Sequence, residues 1–205
     1  GAPSDRTLLT DDVLHRQQQL APISDVRVLG SHEGGSGAVV NVRYRIGGQS
    51  VSDAIELQRR GDTWALNQVA VDVELSAPAN LPKPTVFGIA VPNDGELFVF
   101  PGMVQFGSAD ANFALAPLTA VFSDPDVPAM ANPTPTLSGA GRAELIKVVS
   151  AAMARCARSR SLHPKGCPQH TSRPAARGLI TGSMRWQAPH RYGELNITDI
   201  TVDSR

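Results

Sequence analysis

One long helical pattern governs what this chain can build, and it runs into both of its cysteines. Between Ser138 and Cys156, the residues Ile146, Val149, Met153 and Cys156 recur at helical spacing, and Leu145, Val148 and Ala152 widen that apolar face. Ser138 is the expected N-cap, and Arg155, Arg158 and Arg160 fall where the negative end of the helix dipole favours cations. Pro164, Gly166 and Pro168 forbid continuation, so the spacing predicts a helix over 139–160. Ile146, Val149 and Met153 should face inward, with Lys147 and Arg158 outward. A helix that is apolar on one side needs a surface to cover it, and the Gly/Pro-punctuated remainder is rich in strand patterns. With 41% hydrophobic residues but only 5% aromatics, the core must be made of Val, Leu, Ile and Ala.

In chain order, Thr10 caps a short helix to about Leu20, stopped by Pro22. Asp25–Leu29 alternates as a strand, and His32–Gly37 reads as a flexible loop. Val40, Val42, Tyr44 and Ile46 then share one strand face, Gly47-Gly48 turns the chain, and Val51, Ile55 and Leu57 continue the inward face on the return. Gly61 marks a second turn before Trp64-Ala65-Leu66. The parity slips near Asn67-Gln68, because Val69, Val71, Val73 and Leu75 are out of phase with Trp64 and Leu66. A β-bulge is the simplest account. Pro78–Pro84 has the composition of a stiff linker. Beyond it, strands are expected at Val86–Val91, Glu96–Phe100, Met103–Phe106 and within 112–122, followed by an exposed Pro-rich connection from Ser123 to Pro135. After the helix and the cysteine loop, Leu179–Trp186 and Leu195–Val202 read as closing strands, and Trp64 and Trp186 open runs similar enough to suggest internal duplication. The expected fold is α+β with two lobes of curved antiparallel sheet, each packed on a helix. The boundaries are 1–77 for a small lobe, 78–84 for the linker and 85–205 for a larger lobe carrying the long helix.

Charge divides just as unevenly. The net charge is zero, yet residues 1–141 hold eight Lys/Arg against fifteen Asp/Glu, whereas 142–191 hold ten against the single acid Glu144. Either two lobes of opposite sign attract each other, or Arg155, Arg158, Arg160, Lys165, Arg173 and Arg177 form a basic surface for an anionic partner. Nucleic acid does not fit, since single-strand platforms interleave several aromatics with basic residues and only Trp186 and Tyr192 are near.

No catalytic set stands out. There is no Gly-x-Ser-x-Gly elbow, Gly34–Gly37 lacks the Lys and Ser/Thr of a phosphate loop, and the five histidines lie in polar or loop contexts. Asp94/Glu96 and Asp124/Asp126 read as turn and loop polarity. Cys156 and Cys167 suit a disulfide, one at a helix end and the other in a returning Pro/Gly loop. Cys-x6-His163-x3-Cys-x2-His170 is a rival metal set without the usual paired spacing, and free thiols are a third possibility. No cofactor or metal is expected. No apolar run approaches the roughly 20 residues that span a bilayer. Gly1-Ala2-Pro3-Ser4 reads as a cloning junction, with the expectation that an anchor or signal preceded it.

Three pieces carry a resemblance: Val40-Asn-Val-Arg-Tyr-Arg-Ile-Gly-Gly48 with Trp64-Ala-Leu66; Val99-Phe-Pro-Gly102; and Cys156-Ala-Arg-Ser159 with Pro164-Lys-Gly-Cys-Pro168. In that order they resemble extracytoplasmic domains of membrane-anchored actinobacterial proteins of unassigned function, whose lobes look cystatin-like or nuclear-transport-factor-2-like. The resemblance implies an envelope location, a disulfide and no catalytic residues. The functional expectation is a non-catalytic binding or scaffolding module for an envelope protein or an anionic envelope component. Alternatives are a carrier for an envelope lipid or glycolipid, and a hydrolase with an unrecognised His/Asp site.

Overall fold

The computed structural model describes residues 5–76, 83–171, 178, 180 and 182–189. The architecture is α+β, mostly strand, with several antiparallel sheets and two helices, the longer towards the C-terminus. The chain divides into two compact units, Gly1–Thr136 and Leu137–Ile200.

In the first unit, helix α1 (Asp11–Leu20) is capped by Thr10, whose Oγ1 accepts the Val13 N–H at 3.3 Å. Its inward residues are Val13 and Gln17, and the Gln17 amide donates to the Phe100 carbonyl at 3.0 Å. That clamp leaves no room on the strand it faces. At Gly102, whose φ is +154, a Cβ would stand 2.9 Å from Gln17 Nε2.

Strands β1 (Ile23–Gly34), β2 (Gly37–Ile46), β3 (Gln49–Arg60) and β4 (Thr63–Leu66) form one antiparallel meander. Gly47 and Gly48 both have positive φ, as a two-residue hairpin of matching twist requires. The loop expected at His32–Gly37 shrinks to two residues, because His32, Glu33 and Gly34 pair with β2. The edge strand β1 shifts register twice, between Ser24 and Arg27 and between Val28 and Gly30, which blunts an edge that would otherwise invite further strands.

The parity slip after Leu66 is a change of sheet, not a bulge. Strand β5 (Val71–Ser76) leaves the meander and becomes the centre of another sheet. It lies between β8 (Asp94–Val99), antiparallel to it, and β12 (Ala129–Ala131), which runs parallel to it. Burial explains the move, since Val71, Val73 and Leu75 are each about as buried as a residue can be. The expected strand at Val86–Val91 is instead a tight hairpin of β6 (Pro84–Val86) and β7 (Ile89–Ala90), turned by Phe87 and Gly88 at positive φ. It joins β9 (Gly102–Ser108) and β11 (Thr119–Phe122) in a four-stranded sheet, while β10 (Phe113–Ala116) pairs with β13 (Thr134–Leu137). The connection read as exposed from Ser123 to Pro135 thus contains all of β12 and the first half of β13, and Ala131 and Pro133 are buried.

The main core joins Leu8 and Val13, from the start of the chain, to Val73, Val86, Val99 and Phe106. A second cluster gathers Val42, Tyr44 and Ile46 with Ala21. The first core therefore straddles the Pro-rich stretch at which the sequence suggested a lobe boundary. An inner strand such as β5 needs partners on both edges, and both come from beyond that stretch. Of the expected linker 78–84, only Lys83 and Pro84 are described.

In the second unit, α2 (Gly139–Ala157) is capped by Ser138, which accepts the Gly141 N–H at 3.0 Å. It stops at Arg158, short of the predicted 160, where the Arg158 N–H is shared by the Arg155 and Cys156 carbonyls. Leu145, Ile146, Val149 and Met153 are half-buried, and Lys147 and Arg158 are exposed as expected. Val148, counted with the apolar face, is 56% exposed. Cys156 and Cys167 are joined by a disulfide with Cα atoms 5.7 Å apart. Around it the Leu162 carbonyl accepts Thr171 N and Oγ1, and the Ser161 carbonyl accepts Trp186 Nε1 at 3.1 Å. No strand forms over 182–189, so the expected strand ending at Trp186 is absent there. The expected strand at Leu195–Val202 lies outside the described residues, and the internal duplication with it.

Candidate ligand-binding site

The inward face of the β2–β3 hairpin is apolar with one exception. Register places Val40 opposite Ile55, Val42 opposite Asp53, and Tyr44 opposite Val51. Asp53 thus stands at an apolar position of an alternating strand. That was the signal available in the sequence, where Val51, Ile55 and Leu57 were read as one inward face.

Above this hairpin is a pocket of about 270 Å³. Val42, Ile55 and Tyr44 line it from the hairpin, Ile23 and Val26 from β1, and Leu66 and Val69 from the passage between the two sheets. Pro101 and Pro125 complete the apolar wall, and Asp53, Glu56 and Asp126 supply its charge. Val26, Leu66 and Val69 remain 64%, 46% and 49% exposed, an apolar surface that folding leaves uncovered.

The polar groups are tied to one another. Burial, with the negative charge and hydrogen bond of Asp53 and the charge of Asp124, pushes the Tyr44 hydroxyl up to about 12, so it stays a protonated donor to Asp53. The Asp126 N–H donates to Asp124 Oδ1 at 2.9 Å, a turn that brings the second carboxylate towards the pocket. Burial and the nearby charges of Glu56, Asp124 and Asp53 raise the Asp126 carboxyl above its ordinary range. Glu56 accepts from the Asn67 amide at 3.3 Å. Of the pair read from sequence as loop polarity, Asp126 therefore lines the apolar pocket with Asp53 and Glu56, and Asp124 adds its charge from nearby.

A second, larger depression of about 960 Å³ adjoins it and shares Leu66, Gln68 and Val69. Its lining is mixed, with Gln58, Asn67 and Asp72 beside Arg6 and Arg60 and an apolar part made by Leu66, Val69 and Phe98. Asp72 Oδ1 is buried and has no hydrogen-bond partner among the described residues.

No family model, curated protein or solved structure matches the chain. Its chemistry must be read from its own residues.

The sites expected from sequence lie elsewhere. The disulfide removes both thiolates from the rival Cys/His metal set, and His163 and His170 are exposed. It is consistent with an oxidising, extracytoplasmic location. No helix among the described residues is long and apolar enough to cross a membrane. Arg155, Arg158, Arg160 and Lys165 are exposed around the end of α2. The ion pairs among the described residues are Arg16–Asp12 and Lys147–Glu144, so none of these four is paired there. Arg173 and Arg177 lie outside the described residues. Among the described residues no histidine lines either pocket, and His15 and His32 are exposed.

Proposed function

We propose that the chain is a binding module of a bacterial cell envelope, of the extracytoplasmic kind it resembles, and that the apolar pocket holds the hydrocarbon part of an amphipathic ligand. The observation carrying this is the wall of Val42, Ile55, Leu66 and Val69 around about 270 Å³, left open to solvent. Covering such a surface is favourable by roughly 25 cal/mol per Å² of apolar area. The volume lies just under the roughly 300–1,000 Å³ usual for small-molecule sites, which suits a chain rather than a whole ligand. The disulfide supports an oxidising compartment.

The test is a titration with octanol, a neutral chain, followed through the backbone amide signals of β2 and β3. Saturable shifts at Val42, Tyr44 and Ile55 are expected. Val26→Trp, which fills the pocket from an exposed position, should abolish them without lowering Tm. Absence of shifts in the unsubstituted protein would overturn the proposal.

The basic end of α2 carries a second reading, a surface for an anionic envelope component, because four exposed cations there have no ion-pair partner among the described residues. Reversing Arg158→Glu with Arg160→Glu should leave melting unchanged and weaken retention on phosphatidylglycerol vesicles at low salt. Equal retention by both proteins would end that reading.

A further inference from the structure

The apolar pocket carries charge of one sign. Asp53, Glu56 and Asp126 line it, and among the described residues no Lys, Arg or His does. The ion pairs among those residues are Arg16–Asp12 and Lys147–Glu144, so none of the three carboxylates is neutralised by one there. Asp53 and Glu56 belong to β3 and Asp126 to the segment after β11, so it is the fold, and not a local run of acids, that gathers this charge.

A ligand can reach all three groups, since Asp53 is half-buried and Glu56 and Asp126 are exposed. Gathering them is unfavourable for the protein alone. Burial, followed by the charges of Glu56, Asp124 and Asp53, raises the Asp126 carboxyl. A cation placed among them relieves that repulsion, a neutral head leaves it and an anion adds to it. Arg6 and Arg60 line the adjoining depression and not this pocket, so they would favour an anion there. The sign of the head therefore decides which of the two depressions it occupies.

Hydrogen bonding narrows the kind of cation. Ionised carboxylates only accept, and each has room for several donors. Tyr44 and the Ala54 N–H take positions on Asp53, and the Asn67 amide takes one on Glu56. An ammonium that bears N–H groups can fill positions that remain. A quaternary head donates nothing and is held instead by cages of aromatic rings. Tyr44 is the one aromatic among the described residues of the pocket lining, and it is only 8% exposed.

We infer that the ligand is a cationic amphiphile of the alkylamine class, with its hydrocarbon chain against Val42, Ile55, Leu66 and Val69 and its N–H-bearing ammonium among Asp53, Glu56 and Asp126. This rests on the pocket binding a hydrocarbon chain, as proposed above, and adds the sign and chemistry of the head.

Octylammonium is compared with octanol, octanoate and octyltrimethylammonium on the full chain at neutral pH and low salt, each below its micelle concentration, again through amide signals. Octylammonium should bind about tenfold or more tightly than octanol, with shifts at Val42, Ile55 and Asp126. That preference should shrink as added salt screens the carboxylates, a readout that needs no variant. Octanoate and octyltrimethylammonium should bind more weakly than octylammonium. Glu56→Gln with Asp126→Asn, both at exposed positions, should cut the preference for octylammonium over octanol about threefold or more. Equal affinity of octanol and octylammonium in the unsubstituted protein would overturn the cationic head and leave the hydrocarbon pocket standing. Octanoate ahead of octylammonium, with shifts at Arg6 and Arg60, would do the same and put an anion in the adjoining depression. Octyltrimethylammonium as tight as octylammonium would overturn the N–H-bearing head, and so would octylammonium shifts that miss Asp126. Failure of both octanol and octylammonium to bind would overturn both proposals together.

Discussion

The two units of this chain are held in order by different means. The first buries a Val/Leu-rich core, and every well-buried apolar residue among those described belongs to it except Cys156 and Pro164. The second has one helix with a half-buried face, and a disulfide closes its end. The difference teaches that order in a small unit can come from a cross-link that restricts the unfolded chain, where apolar burial alone is too slight.

The largest expected effect separates the two directly. Leu75→Ala, at a site 1% exposed in the central strand of its sheet, should cost about 2–5 kcal/mol in urea unfolding. Ile146→Ala, on the half-buried face of α2, should cost clearly less. Equal losses would mean that α2 contributes to a core as tight as that of the first unit.

Replacing both Cys156 and Cys167 by Ser should cost about 3 kcal/mol on the loop-entropy estimate for a separation of 11 residues. Hydrogen exchange should show that loss at the amides of α2, with those of β5 and β8 unaffected. Loss of protection in both sets would show that the cross-link supports the whole chain.

The caps sharpen the same contrast on a smaller scale. Thr10→Ala and Ser138→Ala each remove an oxygen that accepts a first-turn N–H, worth about 1 kcal/mol. The Thr10 change should lower the unfolding midpoint of the first unit, because Val13 carries α1 into the main core. The Ser138 change should fray only α2. If each change altered protection in both units, the units would not be energetically separate.

The last effect is confined to high pH. The Tyr44 hydroxyl is raised from 10.0 to about 12, so its protonated form is favoured by folding. Its contribution to stability is fully present below about pH 10 and is lost as pH rises through about 12. Tyr44→Phe should remove the absorbance step near that upper value and flatten the fall in stability across the window. A step from Tyr44 near its ordinary value would show that the hydroxyl is neither buried nor paired with Asp53.

Several local signals in the sequence were accurate and the long-range ones were not. The caps at Thr10 and Ser138, the Gly47-Gly48 turn and the alternation of β2 depend on residues a few positions apart, and each was legible. The slip after Leu66 was also real, but parity reports only which way side chains point, not which sheet a strand joins. Pairing β5 with β12 depends on residues far apart in the chain, and nothing local encodes it. The pocket was hidden for the same reason. Asp53 and Asp126 come from distant segments, and each alone resembles ordinary surface polarity. Only the misplaced parity of Asp53 could have drawn notice.

The central position of β5 also decides how this protein can be cut. A fragment ending at the Pro-rich stretch would keep β5 but lose both neighbours, exposing two bare edges on a strand with Val71, Val73 and Leu75 along it. A fragment beginning after that stretch would present β8 with no strand beside it, and its core would lack Leu8 and Val13. The smallest piece that retains the β12–β5–β8 order and the helix it is packed with starts before Leu8 and ends after Ala131. Domain exchange, tag insertion and crystallisable truncation all have to respect those limits, and the prolines, which look like the natural place to cut, mark a passage through the middle of one folding unit.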